Sequence, residues 1–412
     1  MKTVAGHTSL GLLVAVIALA GCGASQSGSR VAGVVPPNNG NVTTASPLGH
    51  RKVIAACPDR RPGVAQCMAL ILEGRPDPDG GSGPNGGFAP ADLKAAYNLP
   101  SSSAGSGQIV AIVDAHDNPN AASDLAAYRS YFGLPPANFA KYNQEGQQGN
   151  YPKADSGWGV EIDLDVEMVS AACPNCTVYL VEAKDGNSLG TAEREAVKLG
   201  AHIVSNSWTW SPSSESDFDT PGIVYLAAAG DRGYGASQPM EFESVVSVGG
   251  THLVKGGGKR GWSESVWGGG GFGPFNIGTG AACSSAQKPS WQHDPGCPGR
   301  TANDVAAVAD PVTGVAIYDT YGGYSGWLTT GGTSVATPLI ASVFALAGNA
   351  TSQDAGKTFW ERQHENFNDL NPVLRGSNGF CTPAYFCTDG THEYKKYGGP
   401  TGWGTPNGIG AF

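Results

Sequence analysis

Short apolar runs that alternate with helical stretches set the tightest limit on what this chain can fold into. Residues 108–114, 177–183, 202–207, 223–229, 244–249 and 315–318 are short, apolar and bounded by polar or turn-forming residues, the pattern of buried strands. Residues 91–97, 121–132, 159–172 and 189–199 have helical character and fall between or ahead of them. Strands joined through helices run parallel, because a parallel pair needs a crossover that returns the chain to the same end of the sheet. Each crossover lays a helix on one face. The expected fold class is therefore α/β, with a mostly parallel central sheet covered on both sides.

The 412 residues suffice for one large domain or two ordinary ones, and no repeat at a fixed period is visible. Only 15% are charged, while 61 glycines and 28 prolines imply long loops on a packed core. A net charge of -10, with no Lys/Arg-rich run, speaks against nucleic acid as a partner. The N-terminus reads as a targeting segment. Lys2 precedes an apolar run, residues 10–20, that is short for a membrane span and ends at Leu19-Ala20-Gly21-Cys22. That tetrapeptide resembles the lipobox of bacterial lipoproteins, whose cysteine is acylated and becomes the new N-terminus. An ordinary secretory signal with a chance cysteine is the alternative. The chain is expected outside the cytoplasm, lipid-anchored to the cell membrane through Cys22 or else secreted.

The expected organisation is a lipoprotein signal peptide over 1–22, a Gly/Ser/Asn/Pro/Thr-rich flexible tether over 23–49, a short segment with a cysteine pair over 50–90, and a folded body over 91–412. Of the nine cysteines, eight remain once Cys22 is set aside, an even number that suggests disulfides in an exported chain. They fall as neighbours: Cys57/Cys67, Cys173/Cys176, Cys283/Cys297 and Cys381/Cys387. Local pairing is expected, out of about 105 possible connectivities. Export, and the lack of a second CxxC, argue against a redox or zinc role for Cys173-Pro-Asn-Cys176.

Three stretches carry chemistry. Residues 329–338 (Thr-Thr-Gly-Gly-Thr-Ser-Val-Ala-Thr-Pro) lead into an apolar, alanine-rich run, 339–347, which reads as a tight turn that sets Ser334 at the N-terminus of a buried helix. Free N–H groups and the positive end of the helix dipole would favour a nucleophile and its oxyanion there; a plain Ser/Thr helix cap is the alternative. In the helix over 159–172, a turn of ~100° per residue places Glu161 and Asp165 together within the apolar arc, and Asp163, Glu167 and Ser170 on the opposite side, expected to face solvent. Two carboxylates on a buried face repel and lose solvation, so at least one pKa should rise and a proton can be shared. Asp231 follows directly on a strand, at the end where parallel sheets place their sites.

Together, Glu161-x-x-x-Asp165, Ala229-Gly230-Asp231-x-Gly233 and Gly332-Thr333-Ser334-x-x-x-Pro338, in that chain order, resemble the sedolisin family of serine carboxyl peptidases. The likeness runs from Ala91 to the C-terminus. It implies a subtilisin-like three-layer sandwich and a serine-type endopeptidase of protein or peptide substrates, active in acid and needing no cofactor for chemistry; a monomer is expected. It implies that Ser334 is the nucleophile, Glu161 the general base and Asp165 its partner. Asp231, when protonated, would donate to the oxyanion. Val204-Ser205-Asn206-Ser207-Trp208 resembles the family's substrate-lining strand, with Thr209 where glycine is usual, so Ser207 and Trp208 are candidates for backbone contacts to substrate.

Two departures stand out. The family's calcium site opens with an aspartate such as Asp369 and closes with a second one, but Gly398 stands at the second place and Lys396 where a glycine carbonyl binds metal. Calcium takes about six or more oxygens, so no metal is expected there. Residues 50–90 are also too short for the large prodomain usual in the family. The rival readings are a subtilisin-type protease and a catalytically inactive binding protein on the same fold. The first would use Asp114 with a histidine, yet His116, His202 and His252 lie in unsuitable contexts, and Asp114 reads as a structural acid at a strand end.

Overall fold

The computed structural model describes residues 41–42, 52–57, 64–74, 80–209, 214–235, 237–257, 259–268, 277–354, 356–362, 368–389 and 396–412. The expected signal segment and Cys22 lie outside them. The N-terminal part supplies strands β1 (Asn41–Val42), β2 (Lys52–Ala55), β3 (Gln66–Cys67) and β4 (Leu70–Glu73). The body follows with α1 (Pro90–Tyr97), β5 (Ile109–Ala115), α2 (Ala121–Tyr131), β6 (Asn138–Asn143), α3 (Ser156–Ala172), β7 (Thr177–Ala183), α4 (Leu189–Lys198), β8 (Ile203–Asn206) and β9 (Trp208–Thr209). It continues through β10 (Val224–Ala228), β11 (Arg232–Tyr234), β12 (Val245–Lys255), β13 (Trp262–Val266), β14 (Gly278–Gln287), β15 (Gly299–Ala302), β16 (Val305–Val308), β17 (Val315–Asp319), β18 (Gly326–Gly331) and α5 (Thr333–Ala347).

The central sheet runs β13-β12-β10-β8-β5-β7-β6, with β16 also on β12. Every neighbour in it is parallel except β12 with β13. Successive side chains of a strand point to opposite faces. On β5, Val110 and Ile112 join the core that holds α3 and α5, while Ala111 and Val113 join the core that holds α4. Helices on both faces of this sheet make three layers, as the alternation of elements requires. A second sheet, β1-β2-β4-β18-β17, is antiparallel throughout. Asn41–Val42, within the expected tether, therefore pair with β2. Among the described residues no helix is long and apolar enough to cross a membrane.

The α/β reading holds, and the expected strands and helices form within a few residues, although β12 runs on to Lys255. The four disulfides join the expected neighbours, Cys57–Cys67, Cys173–Cys176, Cys283–Cys297 and Cys381–Cys387. One expectation is corrected: α3 has no solvent face at its acids. Asp163, Glu167 and Ser170 are fully buried, because α1, α2, α5 and β17 close over the side of the helix turned from the sheet. Each is met there by a donor from that cover. Asn118 Nδ2 donates to Asp163 at 2.8 Å, the Tyr318 N–H to Glu167 at 2.9 Å and Arg129 to the Ser170 hydroxyl at 2.7 Å.

Candidate active site

The turn between β18 and α5 is made by glycine. Gly332 has φ +105° and ψ 160°, a backbone region open only to glycine, and a Cβ there would collide with the Met68 carbonyl. α5 then begins with no side-chain cap of its own, so Ser334 is not a helix cap. Asp231 serves instead. Its Oδ1 accepts from the Thr333 N–H at 2.8 Å and from the Thr333 hydroxyl at 2.9 Å, taking up one of the N–H groups a helix start leaves unpaired. Pro338, four residues after Ser334, has no N–H, so the Ser334 carbonyl lacks the usual intrahelical donor.

Ser334 is fully buried, and its hydroxyl donates to the Ser207 carbonyl at 3.3 Å. Glu161, also fully buried, is within hydrogen-bond reach of the same hydroxyl. Glu161 Oε2 accepts from the Ala69 N–H at 2.6 Å. One turn along α3, Asp165 accepts from the Ser207 hydroxyl at 2.8 Å. The structure thus brings Glu161, Asp165, Ser207, Asp231 and Ser334 together from α3, the β8–β9 edge, the end of β10 and the start of α5. Trp208 turns its ring away, its Nε1 donating to the Val113 carbonyl at 2.9 Å. Its backbone pairs with Cys67 of β3.

Asp114, at the end of β5, lies beside this cluster. It is fully buried with neither carboxylate oxygen hydrogen-bonded, and its charge acts on both Glu161 and Asp165. Burial alone pushes its pKa up to about 8. Burial also lifts Glu161 and Asp165 well above the usual carboxylate range, and Asp114 adds to both; the hydrogen bonds from Ser334 and Ala69 oppose the rise at Glu161. Asp231 is raised by burial to about 7, against the pull of the Thr333 bonds. The sequence held a signal for Asp114, its place near the C-terminal end of β5. Thr333, which holds Asp231, had none beyond its motif.

Among the described residues, the group of acids close enough to share a metal ion is Asp124, Asp163 and Asp319, with oxygens within 4.8 Å of one another. They lie on the side of α3 turned from Glu161 and Asp165. The expected calcium position fares differently. Asp369 brings one carboxylate, beside Gly410, while Gly398 offers no side-chain oxygen and gives its N–H to the Gly402 carbonyl at 3.1 Å. Lys396 holds a left-handed turn, φ +73°. This donor set does not fit a calcium ion.

A buried serine at a helix start thus meets buried carboxyl groups on a parallel α/β sandwich. The Subtilase family matches residues 142–367, more than half of the chain, and this chain belongs to that family, among its sedolisin-type members. Kumamolisin of a Bacillus species is 29% identical over 363 residues, covering 78% of this chain and 62% of kumamolisin. Sedolisin of a Pseudomonas species is 24% identical over 90% of this chain and 67% of its own length. The chain thus spans less than two thirds of that kumamolisin. A solved Pseudomonas sedolisin, described as a serine-carboxyl proteinase complexed with two molecules of pseudo-iodotyrostatin, superposes with a TM-score of 0.66 at 23% identity. It covers 78% of this chain and 95% of the solved one, and shares the fold.

Proposed function

We propose that this protein is an exported serine-type endopeptidase that hydrolyses peptide bonds in acid through Ser334, Glu161 and Asp165, with Asp231 as oxyanion donor. The observation that carries the reading is the meeting of Ser334 with a buried carboxyl base on one side and a second buried acid, Asp231, on the other. Glu161 takes the Ser334 proton as the hydroxyl attacks, and returns it to the leaving amine. Asp165 and Asp114, packed beside it, titrate with Glu161 as one coupled set that holds fewer charges than carboxyls. The Ser207 hydroxyl fixes Asp165. On Asp231, both Thr333 donors take Oδ1, so the proton of the neutral acid sits on Oδ2, the oxygen left without a partner. There it can donate to the oxyanion, worth about a hundred- to a thousandfold in rate for a single donor. Backbone groups of Ser207 and Trp208 bind the acyl side of the substrate as an added strand.

The test is turnover of a peptide library in acid by the wild type and by Ser334→Ala. Turnover lost in the variant, with an unchanged circular dichroism spectrum, is expected; near-wild-type turnover in Ser334→Ala removes the nucleophile. For the location, the Leu19-to-Cys22 box supports acylation of Cys22 and a tether outside the cytoplasm, with 91–412 as the peptidase domain. Mass spectrometry of the mature N-terminus is expected to find a lipid-bearing cysteine. An unmodified N-terminus elsewhere, with all the protein in the medium, rules the anchor out.

A further inference from the structure

The side of α3 turned from Ser334 carries a second set of buried acids. Asp163 of α3, Asp124 of α2 and Asp319 at the end of β17 are at most 2% exposed, and each brings a carboxylate oxygen within 4.8 Å of the others. Each carboxyl is anchored from outside the trio. Asn118 Nδ2 donates to Asp163 Oδ2 at 2.8 Å, the Tyr321 N–H to Asp319 Oδ1 at 2.6 Å, and the Thr320 N–H to Asp124 Oδ2 at 2.9 Å. The other oxygens of two of them, Asp163 Oδ1 and Asp319 Oδ2, are buried with no hydrogen-bond partner. A fourth acid, Glu167, stands outside the trio, one turn along α3, and repeats the arrangement. It is fully buried, its Oε2 accepts from the Tyr318 N–H at 2.9 Å, and its Oε1 has no partner. The charges of Asp163, Asp124 and Asp319 all act on it, so its carboxyl faces the same space.

Other buried acids of this fold have a basic partner. Arg300 meets Asp304 at 2.7 Å, Lys288 meets Asp294 at 2.9 Å and Arg260 meets Glu264 at 2.8 Å. Among the described residues, no Lys, Arg or His pairs with Asp124, Asp163, Glu167 or Asp319. Charged carboxyls gathered in this way are costly to bury unless a cation joins them. The donors are all oxygen, which suits a hard cation rather than zinc or copper. Oxygens around one calcium ion lie at most ~5 Å apart, a limit the trio meets. Magnesium holds on to several waters, and this site is closed to solvent.

We propose that Asp124, Asp163 and Asp319 hold a calcium ion that ties α2, α3 and the end of β17 together; the site is separate from the peptidase chemistry and does not rest on it. Calcium takes about six to eight oxygens. Each aspartate supplies one, or two where both its oxygens bind. Glu167 Oε1 and the Thr320 hydroxyl, 2.8 Å from Asp124 Oδ1, complete the set. The ion offsets the repulsion among the acids and so firms the layer that covers α3.

The experiment frees the full chain of metal with a chelator, dialyses it at neutral pH and titrates it with calcium chloride. It reads the heat of binding, the bound calcium by atomic emission and the melting temperature. The wild type is expected to take up one calcium ion per chain. Its folded-to-unfolded ratio should rise about a hundredfold when free calcium is ~100 times Kd, and its melting temperature should climb accordingly. Asp163→Asn and Asp319→Asn keep the shape and take a charge from a crowded cluster. Each should fold without calcium yet bind it at least ~10-fold more weakly. Asp369→Ala should bind as the wild type does, which separates this site from the C-terminal position. In a wild-type crystal grown with calcium, an anomalous difference peak should fall between Asp124, Asp163 and Asp319. A wild type that binds no calcium, leaving the acids to share protons alone, overturns the proposal. So does a calcium affinity unchanged in both Asn variants, or a peak elsewhere with none among these three aspartates.

Discussion

In the proposed mechanism, Asp231 is the residue whose charge decides the working pH. It must be neutral to donate to an oxyanion, and a charged carboxylate in its place would repel one. Burial lifts it from 3.8 to about 7, so the proton that free aspartate loses in acid is kept here until near neutrality. kcat/KM for a peptide is expected to fall as pH rises through about 7. In Asp231→Asn that alkaline limb should move upward, because an amide donates at any pH. A histidine base would act in the other direction, with activity rising through about pH 6.5 as the imidazole loses its proton. A wild-type optimum on the alkaline side of neutrality would sink the carboxyl mechanism.

The element that holds the site together is the turn from β18 into α5. It brings Thr333 to Asp231 and Ser334 to Glu161, and it leaves no room at Gly332 for a side chain. Gly332→Ala would force a non-glycine residue into a glycine-only backbone region and drive its Cβ into the Met68 carbonyl and toward Asp231 Oδ2. A strained backbone position of this kind costs about 1–3 kcal/mol. The urea midpoint should fall by a matching amount, and peptide turnover should fall further, since Asp231, the proposed oxyanion donor, shifts with it. A variant with wild-type midpoint and turnover would show that the turn can relax. α3 is the complementary element: buried on every side, it carries Glu161 and Asp165 toward the cleft and Asp163 and Glu167 into the cover formed by α2 and β17.

At the scale of the whole molecule, so many buried acids tie stability to pH. Asp114 is raised from 3.8 to about 8 and Asp231 from 3.8 to about 7, both by burial. The unfolded chain loses these protons near pH ~4, while the folded chain keeps them to about 7 and 8. Between those limits the unfolded state binds fewer protons, so unfolding becomes easier as pH rises. This contribution is fully present below the unfolded values and is lost as pH climbs through the folded ones. The melting temperature should be highest in acid and decline toward about pH 8, and Asp114→Asn should flatten the decline. A melting temperature that climbs steadily from acid through neutrality in the wild type would contradict the burial of these groups.

The layer architecture was legible in the residues because strand and helix periodicities are local: β5, β7 and α4 could be bounded from their own side chains. The motif serine, glutamate and aspartates were legible because each sits at a fixed offset from a turn or along a helix. Pairing of the cysteines followed from short separation. What lay beyond local pattern was decided by packing. A helical wheel divides α3 into faces but cannot say that a second layer covers the polar one, so Asp163 and Glu167 were misplaced. Asp114 joins Glu161 and Asp165 only because β5 lies beneath α3, with the three carboxyls drawn from positions 114, 161 and 165. Most of all, nothing in Gln66-Cys67-Met68-Ala69-Leu70 marks it as the stretch that pairs with β9 and β18 beside Ser334. Backbone pairing with β9 and β18 uses main-chain groups that every sequence has, and only the tertiary structure could choose which stretch supplies them.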